Sequence, residues 1–424
     1  MERARNSRRG DMDMISSLPD CLIHIIMSFL TAQEAVQTCV LSKRWKNLWI
    51  SLPFLDFDLL KFKYNSESED GVSERNRVDM FVGFVSTMLL LREPCDLHKF
   101  RLAGYYVSHF DFMRSWIPYA LKHNLQVLNI VHVHECSVSP SIFTCASLVD
   151  ASLGYAVKSV RNIKVINLPC LRRLSLKGTH INQHFVDKLF WGCPVLEFLN
   201  LEQCHRDFSI INSQSLKYLN ARTWSYCRGT DKRMDLINTP NLLSFCDSIC
   251  PNLCGQKLLL KMPSLTSATI YMAQCHFNWC ENKNSILIGL SNVQNLKLSG
   301  LGIKEFLETE LSHCPEFAKA KDLSVDGLCL SCHFYILASF LNHFPNLEKL
   351  SLYYSGCSCK VQVPAKNSLK IVPFKGKKLK TVEVTFSKSD KLFSSGGEEY
   401  AGLHQDFESS DQHDWSMLLD ICCL

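Results

Sequence analysis

Leu171-Arg172-Arg173-Leu174-Ser175-Leu176, Leu196-Glu197-Phe198-Leu199-Asn200-Leu201 and Leu347-Glu348-Lys349-Leu350-Ser351-Leu352 share one frame, L-x-x-L-x-L. The frame recurs as Leu125/Leu128/Ile130, Leu148/Ala151/Leu153, Leu216/Leu219/Ala221, Leu265/Ala268/Ile270, Val293/Leu296/Leu298, Ala320/Leu323/Val325 and Leu379/Val382/Val384. Leu97/Phe100/Leu102 reads as an earlier copy and Leu242/Phe245 as a degenerate one. From Leu125 to Leu347 nine intervals cover 222 residues, about 25 each, inside the 20–29-residue window of leucine-rich repeats.

A second regularity is independent of the leucines. Pro169, Pro194, Pro240, Pro263 and Pro345 each stand two residues before the first apolar position of a repeat. Proline cannot continue a helix, so this offset marks where a helix stops and the next strand begins. Within the frame, Leu174 and Leu176 alternate with Arg173 and Ser175, the period of a half-buried strand. Between frames, stretches such as Phe185-Val186-Asp187-Lys188-Leu189-Phe190 carry helical spacing. The expected fold class is α/β: one parallel, curved sheet with helices on its convex side, a solenoid.

The N-terminal forty residues read differently, as three short helices over Asp13–Trp49. Pro19 suits a first helical turn and Asp20 its dipole. Leu22, Ile23, Ile25, Ile26, Met27, Phe29 and Leu30 spread over about 200° of the first helix, roughly twice one core face, with a thin polar strip at His24 and Ser28. Thr31-Ala32-Gln33-Glu34 is a capping box that opens the second helix. Trp45, Leu48 and Trp49 share a face of the third, which Ser42 can cap. A segment this small cannot bury so much apolar surface alone. Part of that surface is therefore expected to face another protein.

The same residues carry a resemblance. Ile15-Ser16-Ser17-Leu18-Pro19-Asp20-Cys21-Leu22, Ile25–Leu30 and Ala35–Trp49, with Leu55-Asp56-Phe57-Asp58 after them, are similar to the plant F-box proteins with leucine-rich repeats. Gly192–Leu199 and His343–Leu350 resemble that family's repeats, and the likeness spans about residues 13–386. It implies an F-box that docks a Skp-type adaptor of a cullin–RING ubiquitin ligase, and repeats that hold the protein to be ubiquitinated. The residues expected to carry or position adaptor contact are Leu18, Pro19, Leu22, Ile26, Val40, Leu41, Trp45 and Leu48; no target-contacting residue stands out. Alternatives are a repeat protein that binds a small molecule, and a truncated F-box protein acting without substrate ubiquitination.

The expected organisation is a basic tail (1–12), the F-box (13–58), an acidic loop and capping helix (59–96), repeats (97–386) and a polar tail (387–424). Within the third segment, Asn65–Ser73 reads as a surface loop and Arg77–Leu91 as the helix that caps the solenoid. The polar stretch Ser387–Gln412 departs from the family and leaves the last repeat without its usual cap.

Composition narrows the remaining classes. The 424 residues are 46% hydrophobic and 21% charged, with net charge +5; a core is available, and the charge does not by itself indicate nucleic acid or a membrane. No apolar run reaches the ~20 residues of a bilayer span, and no Asn-x-Ser/Thr acceptor or secretory leader is found. An intracellular, thiol-reduced protein of the nucleus or cytoplasm is expected. The 21 Cys and 15 His produce local clusters: Cys246/Cys250/Cys254, Cys275-His276/Cys280, His132/His134/Cys136 and Cys329-Leu330-Ser331-Cys332-His333. None has the paired short spacing of a zinc site together with a second pair. No cofactor, metal or catalytic group is expected, and the basic run Lys375–Lys380 reads as a solvated face.

Overall fold

The computed structural model describes residues 15, 17–63, 71–104, 113–131, 139–155, 160, 163–222, 236–249, 259–272, 286–354, 378–387 and 400–406. The chain divides into two compact units, Met1–Lys158 with Asn167–Leu171, and Ser159–Ile166 with Arg172–Leu424.

In the first unit, two α-helices, α1 (Asp20–Met27) and α2 (Ala32–Gln37), lead through 3-10 turns at Thr38–Val40 and Trp45–Ser51 into a strand, Phe54–Asp58. The third expected helix is thus 3-10 rather than α. At three residues per turn, Trp45 and Leu48 still share a face, but Trp49 does not. The strand pairs in parallel with Lys99–Ala103, which pairs with Val127–Val131 and that with Asp150–Gly154. Leu55, Phe100, Leu128 and Ala151 fall on one rung, all buried. Leu97/Phe100/Leu102 is therefore a repeat strand. Leu52-Pro53-Phe54-Leu55-Asp56-Phe57 is another, in the same frame but with Phe at the last apolar place.

Helix α3 (Gly71–Leu91) starts inside the stretch read as loop. Its apolar side packs on the first strand and the chain after it: Phe81 meets Phe62 edge-on at 5.3 Å between ring centroids, and Phe84 meets Phe57 at 6.4 Å. Trp116, in helix α4 (Met113–Leu121), donates its indole N–H to Ser86 of α3 at 3.2 Å.

In the second unit nine strands run parallel, from Arg173–Lys177 through Phe198–Glu202, Tyr218–Ala221, Ser244–Ile249, Ser267–Met272, Asn295–Ser299, Asp322–Asp326 and Lys349–Tyr354 to Thr381–Ser387. Each covers one predicted frame, the degenerate copy included. Leu174, Leu199, Leu219, Phe245, Ala268, Leu296, Leu323, Leu350 and Val382 form one buried row. Burying each large aliphatic side chain in that row contributes about 1.5–3 kcal/mol.

Two corner devices repeat with the rows. The prolines occupy the second place of a β-turn: Leu171 N–H donates to Leu168 O (3.1 Å), Leu196 to Cys193 (3.2 Å), Leu242 to Thr239 (3.1 Å) and Leu265 to Met262 (3.1 Å). Proline's fixed φ suits that position, which explains the constant offset more directly than helix termination does. Two residues past the last apolar place, the backbone turns left-handed, at Tyr155, Gly178, Gln203, Gly300 and Gly327. Gly300 has φ 116°, and a Cβ there would lie 2.3 Å from the Met272 carbonyl.

Behind the sheet, the expected helices form in some repeats, as in α5 (Gln183–Gly192), Ile303–Glu310 and Leu330–Leu341. Three repeats carry short strands, Ile210–Asn212, Leu236–Asn238 and Leu259–Lys261, which make a small parallel sheet. Leu199 and Leu219 stand only twenty residues apart, which leaves no room for a helix between their strands, and β-branched Ile210 and Ile211 favour extension. The edge at Ile210 is closed by a side chain: the Gln183 amide accepts from Ile210 N–H (3.0 Å) and donates to its carbonyl (2.9 Å). A polar tail after 387 also proves incomplete as a reading. Tyr400–Asp406 pairs antiparallel with Thr381–Ser387, so the last parallel strand is not an open edge.

The degenerate repeat has a physical cause. Asp247 stands where the frame calls for a leucine, and it is buried. Arg206, also buried, reaches it from the strand His205–Asp207 at 2.6 Å.

Candidate functional site

Helix α1 is held by Ile23 and Met27, which are buried, and it turns Leu22, Ile25 and Ile26 outward. Phe29, just past its end, is 86% exposed. Pro19 supplies the N-cap position and Asp20 the first-turn charge. The predicted capping box forms in full: Glu34 N–H donates to Thr31 Oγ1 (3.3 Å), and Thr31 N–H donates to Glu34 Oε2 (2.9 Å). The Thr31 N–H, with the Thr31 hydroxyl that also donates to Glu34 Oε2 (2.9 Å), holds the Glu34 carboxyl below its ordinary value. Helix α2 then stops in the 3-10 turn that brings Val40 (83% exposed) and Leu41 to the surface. Arg44 pairs with Asp20 at 2.5 Å, tying the start of α1 to the chain just past Leu41.

Of the eight residues singled out from sequence, Pro19, Leu22, Ile26, Val40 and Leu41 are exposed, and Leu18 and Leu48 are half-buried. Trp45 is 3% exposed and presents no surface. Ile15, Ile25 and Phe29 belong to the same exposed apolar set and were not singled out. The 200° arc already contained Ile25 and Phe29; what it lacked was which half the core takes, and Ile23 with Met27 decides that.

This helical segment is bonded into the first unit. Gln33 exchanges both amide bonds with the backbone of Lys63 (3.1 and 2.8 Å). Glu93 N–H donates to Ile50 O at 3.1 Å, and buried Arg92 donates to Leu52 O at 2.6 Å. Arg101, one strand on, pairs with Asp56 (2.6 Å) and Asp58 (3.0 Å).

Four of the described thiols are held in the protonated state. Burial pushes Cys193, Cys204 and Cys314 up to about 12 and Cys246 up to about 11, away from the thiolate state that reactivity needs. Cys204, at the ninth place of its repeat, points its thiol at Leu176 O, 3.4 Å away. His132, His134, Cys136, Cys250, Cys254, Cys275, His276 and Cys280 lie outside the described residues, as do Lys375–Lys377 of the basic run, whose Lys378 and Lys380 are exposed. Cys329 precedes the helix Leu330–Leu341, and His333 kinks its first turn. Among the described residues no three His, Cys, Asp or Glu side chains converge as a metal site. No helix of the described residues is long and apolar enough to cross a membrane.

Comparison with known proteins bears on the same two regions. An F-box domain model matches residues 15–57, and a model described as "FBD-associated F-box protein At5g56370, LRR repeats" matches 113–252. The F-box/LRR-repeat protein At4g14103 of Arabidopsis thaliana is 29% identical over 392 residues, 85% of this chain and 98% of that protein. At4g14096, another F-box/LRR-repeat protein of that plant, is 30% identical over 357 residues, covering 80% and 73%. The F-box/FBD/LRR-repeat protein At5g53840, also from Arabidopsis thaliana, is 28% identical over 366 residues, covering 82% and 76%. With a helical F-box at its front and leucine-rich repeats behind it, the chain belongs to the F-box/LRR-repeat family.

Proposed function

We propose that this chain is the substrate-recognition subunit of a Skp–cullin–F-box ubiquitin ligase, working inside the cell in the nucleus or cytoplasm. Its F-box docks the Skp-type adaptor and its repeats hold the target. Ubiquitin transfer is done by partner subunits. What the chain supplies is proximity, since a tethered target meets the charged ubiquitin carrier at a high effective concentration.

The observation that carries the reading is the exposed apolar set of the F-box: Leu22, Ile26, Phe29, Val40 and Leu41. A contiguous apolar surface rimmed by polar residues marks a protein interface. Leu18 and Pro19 open the helix that presents it, and Trp45 and Leu48 position it from below. In co-purification with the adaptor, Leu18→Ala with Pro19→Ala should abolish capture while the circular dichroism of the repeats stays unchanged. Undiminished capture would contradict the assignment.

A further inference from the structure

The sheet face that alternates with the buried leucine rows spends many of its polar side chains on one another. Asn200 donates to Ser175 Oγ at 2.9 Å, Ser299 to Asp326 at 2.7 Å and Ser351 to Glu383 at 3.1 Å. Lys177 pairs with Glu202 at 3.2 Å, and Lys349 with Glu383 at 2.8 Å. Three neighbouring strands, Tyr218–Ala221, Ser244–Ile249 and Ser267–Met272, differ. The register sets Tyr218, Ser244 and Ser267 in one outward row and Asn220, Cys246 and Thr269 in the next. The hydroxyls of Tyr218, Ser244, Ser267 and Thr269 and the NH2 of Asn220 have no hydrogen-bond partner among the described residues. Each of these residues keeps part of its surface in water.

None of the six is charged. Burial pushes the Cys246 thiol up to about 11, so it keeps its proton at neutral pH. Arg222, which follows the first of these strands, holds its guanidinium in the row beyond, over the Tyr271 ring and 4.2 Å from its centroid. At one end of the block Phe198 lies beside Tyr218 in the same row, their ring centroids 6.1 Å apart. Phe198 is half-buried and Tyr218 is 43% exposed, so the pair forms an aromatic ledge next to an uncharged polar floor.

We propose that this block binds an uncharged, hydrogen-bonding segment of the target protein, with an aromatic or proline residue of that segment seated on the Phe198–Tyr218 ledge. The inference rests on the target-holding role proposed above and names the chemistry it selects. Hydroxyls both donate and accept, so they match Ser, Thr, Asn and Gln side chains as well as main-chain groups. A charged side chain laid on the floor would lose water and meet no opposite charge, and an aliphatic one would strand the floor's polar groups. Both are selected against. The ledge gives a ring a large contact at low entropy cost. Two strand spacings, about 10 Å, separate Tyr218 from Ser267, and an extended chain advances about 3.3 Å per residue. The ring residue and the farthest polar contact of the segment therefore stand about three places apart.

The test is selection of a displayed random octapeptide library against the full chain and against its Tyr218→Ser and Ser244→Asp variants. The wild type should enrich Phe, Tyr, Trp or Pro three places from a Ser, Thr, Asn or Gln by about tenfold, the scale of one or two net hydrogen bonds, and deplete charged residues between them. Tyr218→Ser, at an exposed position, should lose the ring preference and keep the polar one. Ser244→Asp should admit Lys or Arg between them; if that protein melts early, Ser267→Asp replaces it with the same expectation. No enrichment, enrichment of charged residues by the wild type, or one profile in all the proteins overturns the proposal. So does displacement of the selected peptides by maltotriose or chitotriose, which would give the block to a neutral sugar. Adaptor capture by the same preparations separates the two readings: its absence with the peptide preference intact refutes the ligase role and leaves the block assigned, and the reverse result refutes the block alone.

Discussion

Asp247 shows how far one side chain can be read. In the frame of its repeat the place belongs to a leucine, and sequence alone gives only a degenerate copy; the partner, Arg206, is forty-one residues earlier and invisible to any local pattern. Breaking a buried ion pair by removing one member strands the other charge and costs about 3–5 kcal/mol, whereas replacing both with apolar residues is often neutral. Asp247→Ala should therefore lower unfolding free energy by that amount in denaturant melts, and Arg206→Met with Asp247→Leu should recover most of it. A recovery no better than the single change would mean that the pair is not coupled. The thiols allow a second check. Cys21 and Cys170 are exposed while Cys193 and Cys204 are buried, their thiols pushed up to about 12. Alkylation at neutral pH should label the first two and spare the second two until the protein unfolds, as read by peptide mass mapping. Acid acts in a further direction: Glu34, Glu197 and Glu348 are all held below their ordinary value of 4.5, Glu34 by Thr31, Glu197 by Lys217, and Glu348 by Lys380 and Lys321. Their contribution is complete above that value and is lost as pH falls through the depressed ones. Glu34→Gln, Glu197→Gln and Glu348→Gln together should flatten the fall of melting temperature in that range and leave the region below it unchanged.

At the scale of elements, period-2 alternation and the repeat length made the strands legible, because each rung buries its apolar residues in the same frame. The corners were half legible. The prolines announced themselves, but the left-handed position just past five of the strands did not, since Tyr155, Gln203 and three glycines share a conformation without sharing a residue type. There Gly300→Ala should cost more than about 1 kcal/mol, the added Cβ meeting a carbonyl at positive φ. Gly83→Ala, inside α3 with nothing within 4 Å of the new atom, should instead gain about 0.5–1 kcal/mol. Equal effects in chemical melts would refute the assigned strain. The strand at Leu52–Phe57 escaped reading because its frame ends in Phe and follows the F-box directly. The back strand Ile210–Asn212 escaped because the twenty-residue spacing of Leu199 and Leu219, rather than composition, excludes a helix there. The strand Tyr400–Asp406 sits in polar sequence, where hydrophobic periodicity carries no signal.

For the whole molecule, family membership and the exposed F-box surface point to the same role. The exposed apolar surface of the F-box was largely legible: five of the eight named residues are exposed, and the arc of the first helix already exceeded what its own core could cover. Trp45 is buried rather than exposed, a difference the sequence does not carry, because an indole at helical spacing reads as surface or core alike until the turn geometry is known. Adaptor docking that buries such a surface should carry the negative heat-capacity change of apolar burial. The decisive measurement is calorimetric titration of the purified Skp-type adaptor into the full chain over a range of temperatures, beside an Ile26→Asp, Val40→Asp, Leu41→Asp variant of unchanged melting temperature. One-to-one binding with a negative heat-capacity change, absent in the variant, is the predicted result; a folded wild type that gives no binding, or a variant that binds as well, would contradict it.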